Sequence, residues 1–229
     1  KKAQAIGLIN TNIPEEYGGS GLNVLEEGIV GEELAYGCSG ISTALGINNL
    51  AAIPILVAAS HEQKQEWLGK MTDGAMAAYA VTEPGAGSNV VGMTTTAVKQ
   101  GDHYVLNGSK TFISNASVAE FYVVFAKTDK DGGHKGISAF IVPRESEGFS
   151  VSKHFDKLGQ RASDTAEISF DNVAVPAKNM LGSEGQGFYI AMKVFDFSRP
   201  TVACGAVGVA RRALDEAKKY AAEREAFGQ

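Results

Sequence analysis

The residues whose types and spacing could do chemistry lie in one segment, Ala80–Asn89, with the sequence AVTEPGAGSN. Pro84 and the two nearby glycines, Gly85 and Gly87, exclude a regular helix or a central strand, so the segment is predicted to be a loop. The glycines can adopt positive φ and let a ligand approach the backbone closely. N–H groups bared in such a loop can hold phosphate groups or the polar edge of a ring.

Three polar side chains surround this backbone, namely the hydroxyls of Thr82 and Ser88 and the carboxylate of Glu83. A second interpretation is also open, because Gly and Pro mark ordinary turns as well. In that interpretation the segment is a polar turn that leads into a β domain. The residue types alone therefore leave both a ligand-binding loop and a simple turn open.

Composition limits the classes to which this chain can belong. Its 229 residues, 44% of them hydrophobic and with a net charge of -5, suffice for one large domain or two smaller ones. The lack of a basic cluster argues against nucleic acid as a partner, and we find no run of about 18 apolar residues, so we expect no membrane insertion. Cys38 and Cys204 are far apart and predict free thiols in a reducing compartment. The four histidines show no ligand spacing, so we expect no metal site.

The elements that must position the loop fall into three regions. We predict a helical domain over residues 1–78, a β domain over 79–183 and the start of a helical bundle over 184–229. The predicted strands are rich in β-branched and aromatic residues, and they are Thr94–Val98, His103–Leu106, Phe121–Ala126, Ile137–Val142 and Thr165–Val175. Turn signals such as Asn107-Gly108 separate them and no helices intervene, which predicts an antiparallel sandwich or barrel. The predicted fold class is therefore α+β, and the lack of a strand–GxGxxG–helix unit excludes a Rossmann domain.

Helix signals flank the β region on both sides. Asn23 predicts an N-cap with Glu26 as its capping-box partner, and that helix is predicted to end near Gly37. The other predicted helices are Ile41–Ala59, with a break or kink at Pro54, then His61–Met71 and Gly185–Phe197. A last helix is predicted to begin with Ser198 as its cap and Pro200 in its first turn. Its many small residues would let another helix pack closely.

The loop, with Tyr79 before it and Gly92 after it, resembles the signature of the acyl-CoA dehydrogenases. The family usually has Asp where this chain has Asn89, and the two residue types do similar work in turns. Further motifs of the family follow in the same order, and they are Asn107–Asn115, Leu158–Arg161, Val173–Pro176, Phe195–Pro200 and Glu223–Gly228. The resemblance covers essentially the whole chain and is strongest for the medium-chain and short-chain branch.

The resemblance implies that FAD is the cofactor. The implied cofactor-binding residues are Tyr79, Val81, Thr82, Gly87, Ser88, Phe112, Ile113, Ser114 and Arg224. A flavin needs hydrogen-bond donors along its ring edge and apolar walls on its faces, which Thr82 and Val81 supply. The family usually has Trp where this chain has Phe112, and a phenyl ring can still form an aromatic wall over the flavin, with a smaller area. The alternative is that Phe112–Ser114 is an ordinary strand in a β core. Arg224 corresponds to an arginine that reaches the flavin pyrophosphate of a neighbouring subunit, which implies a homotetramer, with a solvated arginine near a helix end as the alternative.

The resemblance also implies an acyl-CoA substrate, α,β-desaturated to the trans-2-enoyl-CoA, with electrons passed to an electron-transferring flavoprotein. Ser88 would face the pantetheine. Phe195, Asp196 and Arg199 correspond to positions near the CoA moiety, although Arg199 also fits an ion pair at a helix start. The implied location is the bacterial cytoplasm, with the mitochondrial matrix as the alternative.

The sequence offers no catalytic residue. In the family a glutamate removes the α-proton, in most members from C-terminal helices beyond the matched region and in a minority from the position of Ser198. Glu83 is not the counterpart of that base. We therefore expect a piece of a longer enzyme that is truncated at both ends. A non-catalytic flavin- or acyl-CoA-binding module and an acyl-CoA oxidase-type relative are the alternatives.

Overall fold

The computed structural model describes residues 2–228 and has helices before and after a central sheet. The helices are α1 (Lys2–Ala5), α2 (Val24–Gly37), α3 (Ser39–Ala58), α4 (His61–Thr72) and α5 (Gly187–Glu223). The strands are β1 (Ala77–Ala80), β2 (Thr96–Gln100), β3 (His103–Ser114), β4 (Phe121–Lys127), β5 (Ile137–Pro143), β6 (Phe149–His154), β7 (Thr165–Pro176) and β8 (Met180–Leu181). Short 3-10 turns lie at Glu15–Tyr17, Val90–Gly92, Gly133–Gly136 and Ala177–Asn179. The predicted α+β class is confirmed.

All eight strands join one sheet in the order β6-β7-β3-β2-β4-β5-β8, with β1 beside β4. Most pairs are antiparallel as predicted, but β1 runs parallel to β4, and β2 meets β4 in parallel at the pair Thr96 and Lys127. The predicted strands omitted β1, β6 and β8. Strands β1 and β8 are short, with four and two residues, and the composition of β1, Ala and Tyr, carries little β signal.

The predicted turn at Asn107-Gly108 is wrong, because both residues lie inside β3. The pairing of β3 with β7 shifts register between Leu106 and Gly108, and Gly108 has a φ of +143°. A bulge uses the same glycine freedom as a turn, and here the Asn107 side chain bonds across to the backbone N–H of Asn172 at 2.9 Å. The strand therefore continues to Ser114.

The N-terminal helices follow their capping signals. The Asn23 side chain accepts the N–H groups of Leu25 and Glu26, and the Glu26 carboxylate accepts the N–H of Asn23 at 2.8 Å, which confirms the predicted capping box. Helix α3 runs without a break through Pro54. The neighbouring residues of that turn are buried, so their packing offsets the hydrogen bond that Pro54 lacks.

Helix α3 is the one helix within residues 2–228 that is long and apolar enough to cross a membrane by length and composition alone. A count of uninterrupted apolar residues misses it because Ser42, Thr43 and two asparagines interrupt the run. One of them, Asn48, is fully buried, donates to Asn10 Oδ1 at 3.0 Å and accepts the N–H of Ala77 at 2.8 Å. A buried amide satisfied by the rest of the fold is typical of a core helix.

The two helices predicted for the C-terminal region form a single helix, so the predicted break before Pro200 is wrong. Helix α5 covers 37 residues with Pro200 inside it. It packs along α2, and the approach is so close that a Cβ on Gly208 would overlap the carbonyl oxygen of Glu32. The close packing expected from the small residues is therefore present, and it accompanies a helix that continues past the proline.

Candidate functional site

A cleft of about 450 Å³ opens where the loop after β1, the end of β3, helix α3 and the start of α5 meet. Its lining residues are Ile47, Leu50, Tyr79, Val81, Thr82, Gly87, Ser88, Phe112, Ile113, Ser114 and Phe195. Nine of these residues were predicted from the sequence as cofactor- or substrate-binding. Two segments about 30 residues apart in the chain therefore form the facing walls of one cleft.

The loop itself is built around a tight turn. Glu83 and Ala86 exchange backbone hydrogen bonds of 2.9 and 3.1 Å across Pro84 and Gly85. Neither Gly85 nor Gly87 uses the positive φ that glycine permits, and Pro84 favours the turn through its fixed φ. A Cβ on Gly87 would meet no atom within 4 Å, which leaves the cleft side of the loop open to a ligand.

Beneath the loop, Glu83 and Lys110 form an ion pair with Nζ to Oε1 at 2.8 Å. The side chains are 3% and 0% exposed, respectively. Glu83 also accepts the backbone N–H groups of Thr94 and Thr95 at 2.6 and 3.0 Å and the hydroxyl of Thr94 at 2.8 Å. Lys110 also donates to the carbonyl of Val81 at 3.2 Å. Both charges are thus satisfied inside the protein.

These contacts decide the protonation of the pair. Burial opposes ionisation of Glu83, but the Lys110 ammonium and the hydrogen bonds from Thr95 and Thr94 outweigh it and lower the pKa of Glu83 to about 2. Burial lowers the pKa of Lys110 to about 8, and the Glu83 carboxylate opposes that shift. Glu83 is therefore an anion at neutral pH, and its low pKa makes it a weak base towards a ligand.

Phe112 forms the aromatic part of the opposite wall. It has a φ of +57°, which is rare for a bulky residue, and it sits where the pairing of β3 with β7 shifts between Lys110 and Ile113. Its ring is 62% exposed and leans on Phe155, with centroids 4.7 Å apart. Strained, exposed aromatic residues of this kind cluster at ligand sites, where the surrounding structure enforces the strain.

Tyr79 closes the back of the cleft. Its ring packs edge-on against Phe125 with centroids 5.3 Å apart. Its hydroxyl is buried and has no hydrogen-bond partner among residues 2–228. Burial raises the pKa of Tyr79, so the hydroxyl keeps its proton and remains an unused donor and acceptor in the wall.

Three of the predicted site residues lie outside the cleft lining. Asp196 is exposed and lies 3.8 Å from Lys193 in an ion pair. The guanidinium of Arg199 lies 5.3 Å from the centroid of the Phe195 ring. The alternative prediction for Arg199, an ion pair at a helix start, does not apply, because this residue lies inside the continuous helix α5. Arg224 is exposed and caps the C-terminal end of α5, far along the helix from the cleft.

A second cavity, of about 320 Å³, lies between α2, α3 and α5. It shares Ile47 and Leu50 with the cleft, so these two side chains separate the two spaces. Its α3 wall is a stripe at helical spacing that includes Ser42, Gly46 and Ile53. The sequence analysis assigned no role to this face of α3.

Comparisons with known proteins agree with this architecture. Family models described as the N-terminal, middle and C-terminal domains of acyl-CoA dehydrogenase match residues 1–75, 78–173 and 185–229, respectively. Over the whole chain, the sequence is 43% identical to a probable medium-chain specific acyl-CoA dehydrogenase from Caenorhabditis briggsae and 44% identical to a short-chain specific one from Clostridium acetobutylicum.

The chain spans 57% and 61% of the lengths of these two relatives. It also superposes over its full length, with a TM-score of 0.95 and 45% identity, on 60% of a chain in a structure described as the electron transferring flavoprotein of Acidaminococcus fermentans. The chain therefore belongs to the acyl-CoA dehydrogenase family.

Proposed function

We propose that this chain carries the flavin-binding and acyl-binding part of an FAD-dependent acyl-CoA dehydrogenase. The proposed reaction is α,β-desaturation of a short- or medium-chain fatty acyl-CoA to the trans-2-enoyl-CoA. The observation that carries the proposal is the cleft in which the two segments expected to bind flavin, one ending in Ser88 and the other in Ser114, face each other. The relatives are longer than this chain, so the activity is proposed for the protein as a whole.

The cleft has the chemistry that a flavin requires. The proposed ring contacts are the hydroxyls of Thr82 and Ser114 along a polar edge, with Val81 and Phe112 as apolar walls. The open space beside Gly87 accommodates a ligand against the backbone. When bound, FAD supplies the two-electron oxidising capacity that no amino-acid side chain has.

The second cavity is the proposed binding site for the acyl chain of the substrate. It adjoins the cleft at Ile47 and Leu50, and more of its lining surface is apolar than polar. Burying a hydrocarbon tail there stabilises the complex by about 0.8 kcal/mol for each methylene. We propose that Ser88 faces the pantetheine and that Phe195 and Arg199, together with Asp196, bind the CoA moiety.

The α-proton needs a base that these residues do not supply. No Asp or Glu is among the residues of the described chain that line the cleft, and Glu83 is occupied by Lys110. Ser198 lines the second cavity but carries no carboxylate. Glu27 lines the same cavity, but its carboxylate already accepts hydrogen bonds from Thr11 and Asn49 at 2.9 and 2.6 Å, and the resemblance gives it no role as the base. We propose that a glutamate from the part of the longer protein outside this sequence removes the proton.

The proposed assembly is a homotetramer in which Arg224 reaches the flavin pyrophosphate of a neighbouring subunit. Its exposure at the end of α5 leaves the guanidinium available for that contact. We propose an electron-transferring flavoprotein as the electron acceptor and a location without membrane insertion, in the bacterial cytoplasm or the mitochondrial matrix. The buried Asn48 in the middle of α3 supports a core helix over a membrane helix.

The deciding experiment is a visible absorption spectrum of the complete protein before and after addition of butyryl-CoA or octanoyl-CoA without oxygen. We expect flavin bands that bleach when substrate is added. Bound flavin that stays oxidised would contradict the proposed reaction and favour a non-catalytic binding module. Rapid reoxidation by oxygen with release of hydrogen peroxide would favour an oxidase.

A further inference from the structure

We infer that the buried Glu83–Lys110 pair is a positioning device that holds the two walls of the cleft together and thereby sets the affinity and reduction potential of the flavin. This inference rests on the proposed function, because it concerns the flavin site. Neither residue lines the cleft. Their effect must therefore pass through the neighbours that do.

The first wall is held through its backbone carbonyls. The carbonyl of Val81 accepts a hydrogen bond from Lys110 Nζ at 3.2 Å, and the carbonyl of Thr82 accepts one from the N–H of Thr111 at 2.9 Å. Both acceptor residues line the cleft, and both donors are consecutive residues of β3. A carbonyl that lost either donor would be free to rotate, and the side chain on its residue would move with it.

The second wall begins directly after the donors. Phe112 follows Thr111 in the strained conformation described above, at the register shift between Lys110 and Ile113. Only one residue, Thr111, therefore separates Lys110 from the aromatic wall in the chain. The hydrogen bond from Lys110 to the first wall therefore also fixes the position of the residue at which the irregular pairing around Phe112 begins.

Glu83 anchors this arrangement to the segment that follows the loop. Its carboxylate accepts the N–H groups of Thr94 and Thr95 as well as the Lys110 ammonium. One carboxylate thus ties together the loop, β3 and the backbone leading into β2. Lys110 Nζ also approaches Met93 Sδ at 3.9 Å, so the ammonium is held on three sides.

A contribution to folding stability alone does not explain the buried ion pair of Glu83 and Lys110. Replacing a buried ion pair by apolar residues of similar size is often neutral or stabilising, whereas removing one partner is strongly destabilising. The pair supplies something that an apolar substitute lacks, namely directional donors and acceptors that fix backbone carbonyls. Stability and flavin binding are therefore separable in suitable variants.

The test compares Lys110→Met, Glu83→Gln and the double variant Glu83→Gln/Lys110→Met in the complete protein loaded with FAD. We expect each single variant to lower the melting temperature and to weaken FAD binding about tenfold, which corresponds to one lost charge-assisted hydrogen bond. The double variant should regain the melting temperature while its FAD dissociation constant stays raised and its flavin reduction potential and visible circular dichroism stay shifted. Flavin properties that recover together with the melting temperature would overturn the inference.

Tyr104→Phe is the matched control. Tyr104 lies on the same strand, is buried, and donates from its hydroxyl to Glu184 at 2.6 Å, but it does not line the cleft. We expect this variant to lose stability without any change in the flavin dissociation constant or potential. A wild-type protein that binds no FAD would overturn both the proposed function and this inference, whereas flavin that bleaches normally in wild-type protein and is unaffected in the single variants would overturn the inference alone.

Discussion

Phe112 and Phe155 lie ring to ring, with centroids 4.7 Å apart and planes tilted by 39°. The family usually has one larger aromatic residue, Trp, at the first of these positions. Here a second ring from the segment after β6 supports the smaller one. Phe112, an aromatic residue that lines the cleft between the two flavin segments, is therefore supported by a ring from another part of the β domain.

The first prediction concerns the conformation of Phe112. Because its φ is +57°, Phe112→Gly should be more stable to unfolding than Phe112→Ala, by about 1 kcal/mol. At Val98, an exposed position on β2, the order of the same pair should reverse, because glycine weakens a regular strand. Urea unfolding of the four variants measures both differences. An alanine variant that is the more stable one at both positions would show that Phe112 is not strained.

The second prediction concerns the hydroxyl of Thr82. Thr82→Val keeps the shape of the side chain but removes the proposed donor to the flavin ring edge, so we expect a dissociation constant for FAD raised about tenfold. Thr82→Ser keeps the hydroxyl and serves as the control. Fluorescence titration of the apoprotein with FAD measures the affinity. Unchanged binding and redox behaviour in the valine variant would remove Thr82 from the site.

The third prediction concerns the length of the acyl chain. Gly46 lines the second cavity, and a Cβ there would meet no atom within 4 Å. Gly46→Leu should therefore fill part of that cavity and lower kcat/KM for octanoyl-CoA relative to butyryl-CoA about tenfold or more. Gly69→Leu on α4, which also has open space at its Cβ, is the control and should leave the ratio unchanged. An unaltered ratio in the Gly46 variant would mean that the acyl chain binds elsewhere.

The fourth prediction concerns acid stability. The pKa of Glu83 is lowered to about 2 in the folded protein, below its ordinary value of about 4.3 in an unfolded chain. The unfolded state therefore binds more protons in this range, and the stabilisation from Glu83 is lost as the pH falls from about 4.3 towards 2. Glu83→Gln should flatten this part of the curve of unfolding free energy against pH. A variant curve parallel to that of the wild type would show that the Glu83 carboxylate has an ordinary pKa.

The fifth prediction concerns Arg224. Arg224→Ala should weaken FAD binding in the assembled oligomer, because the proposed contact is with the flavin pyrophosphate of a neighbouring subunit. Arg212→Ala is the control, since Arg212 lies on the same helix and pairs with Glu216. Flavin affinity is measured together with oligomeric state by analytical ultracentrifugation. An equal loss of affinity in a dissociated monomer would contradict the contact between subunits.

Local signals in the sequence predicted much of this fold. The capping box at Asn23 and the strands rich in β-branched residues depend on residues that are close together in the chain. Both were found in the regions where they were predicted. Pro200 misled the prediction of a helix start, and the break considered at Pro54 is absent, because tertiary packing along α3 and α5 outweighs the loss of one backbone hydrogen bond. Asn107-Gly108 was interpreted as a turn because bulges and turns both use the freedom of glycine to adopt positive φ.

Most of the residues that line the cleft were predicted from the sequence, but the contacts that hold its walls together were not. The resemblance named the facing residues of both walls, while their roles in binding stay predictions. The pairing of Glu83 with Lys110 joins residues 27 apart in the chain, and no local periodicity indicates it. Ile47 and Leu50 were likewise missed, because an apolar residue on a helix looks the same in the sequence whether it faces a core or a cavity.

The unbroken course of α5 through Pro200 has a consequence for the proposed tetramer. A helix rises about 1.5 Å per residue, so the step of 29 residues from Phe195 to Arg224, the C-cap residue of α5, corresponds to about 44 Å of helix length. Phe195 lines the cleft of its own subunit, and Arg224 is proposed to serve the cleft of another. The number of residues in α5 between these two positions therefore sets how far the cleft of one subunit can lie from the cleft that is proposed to receive its Arg224.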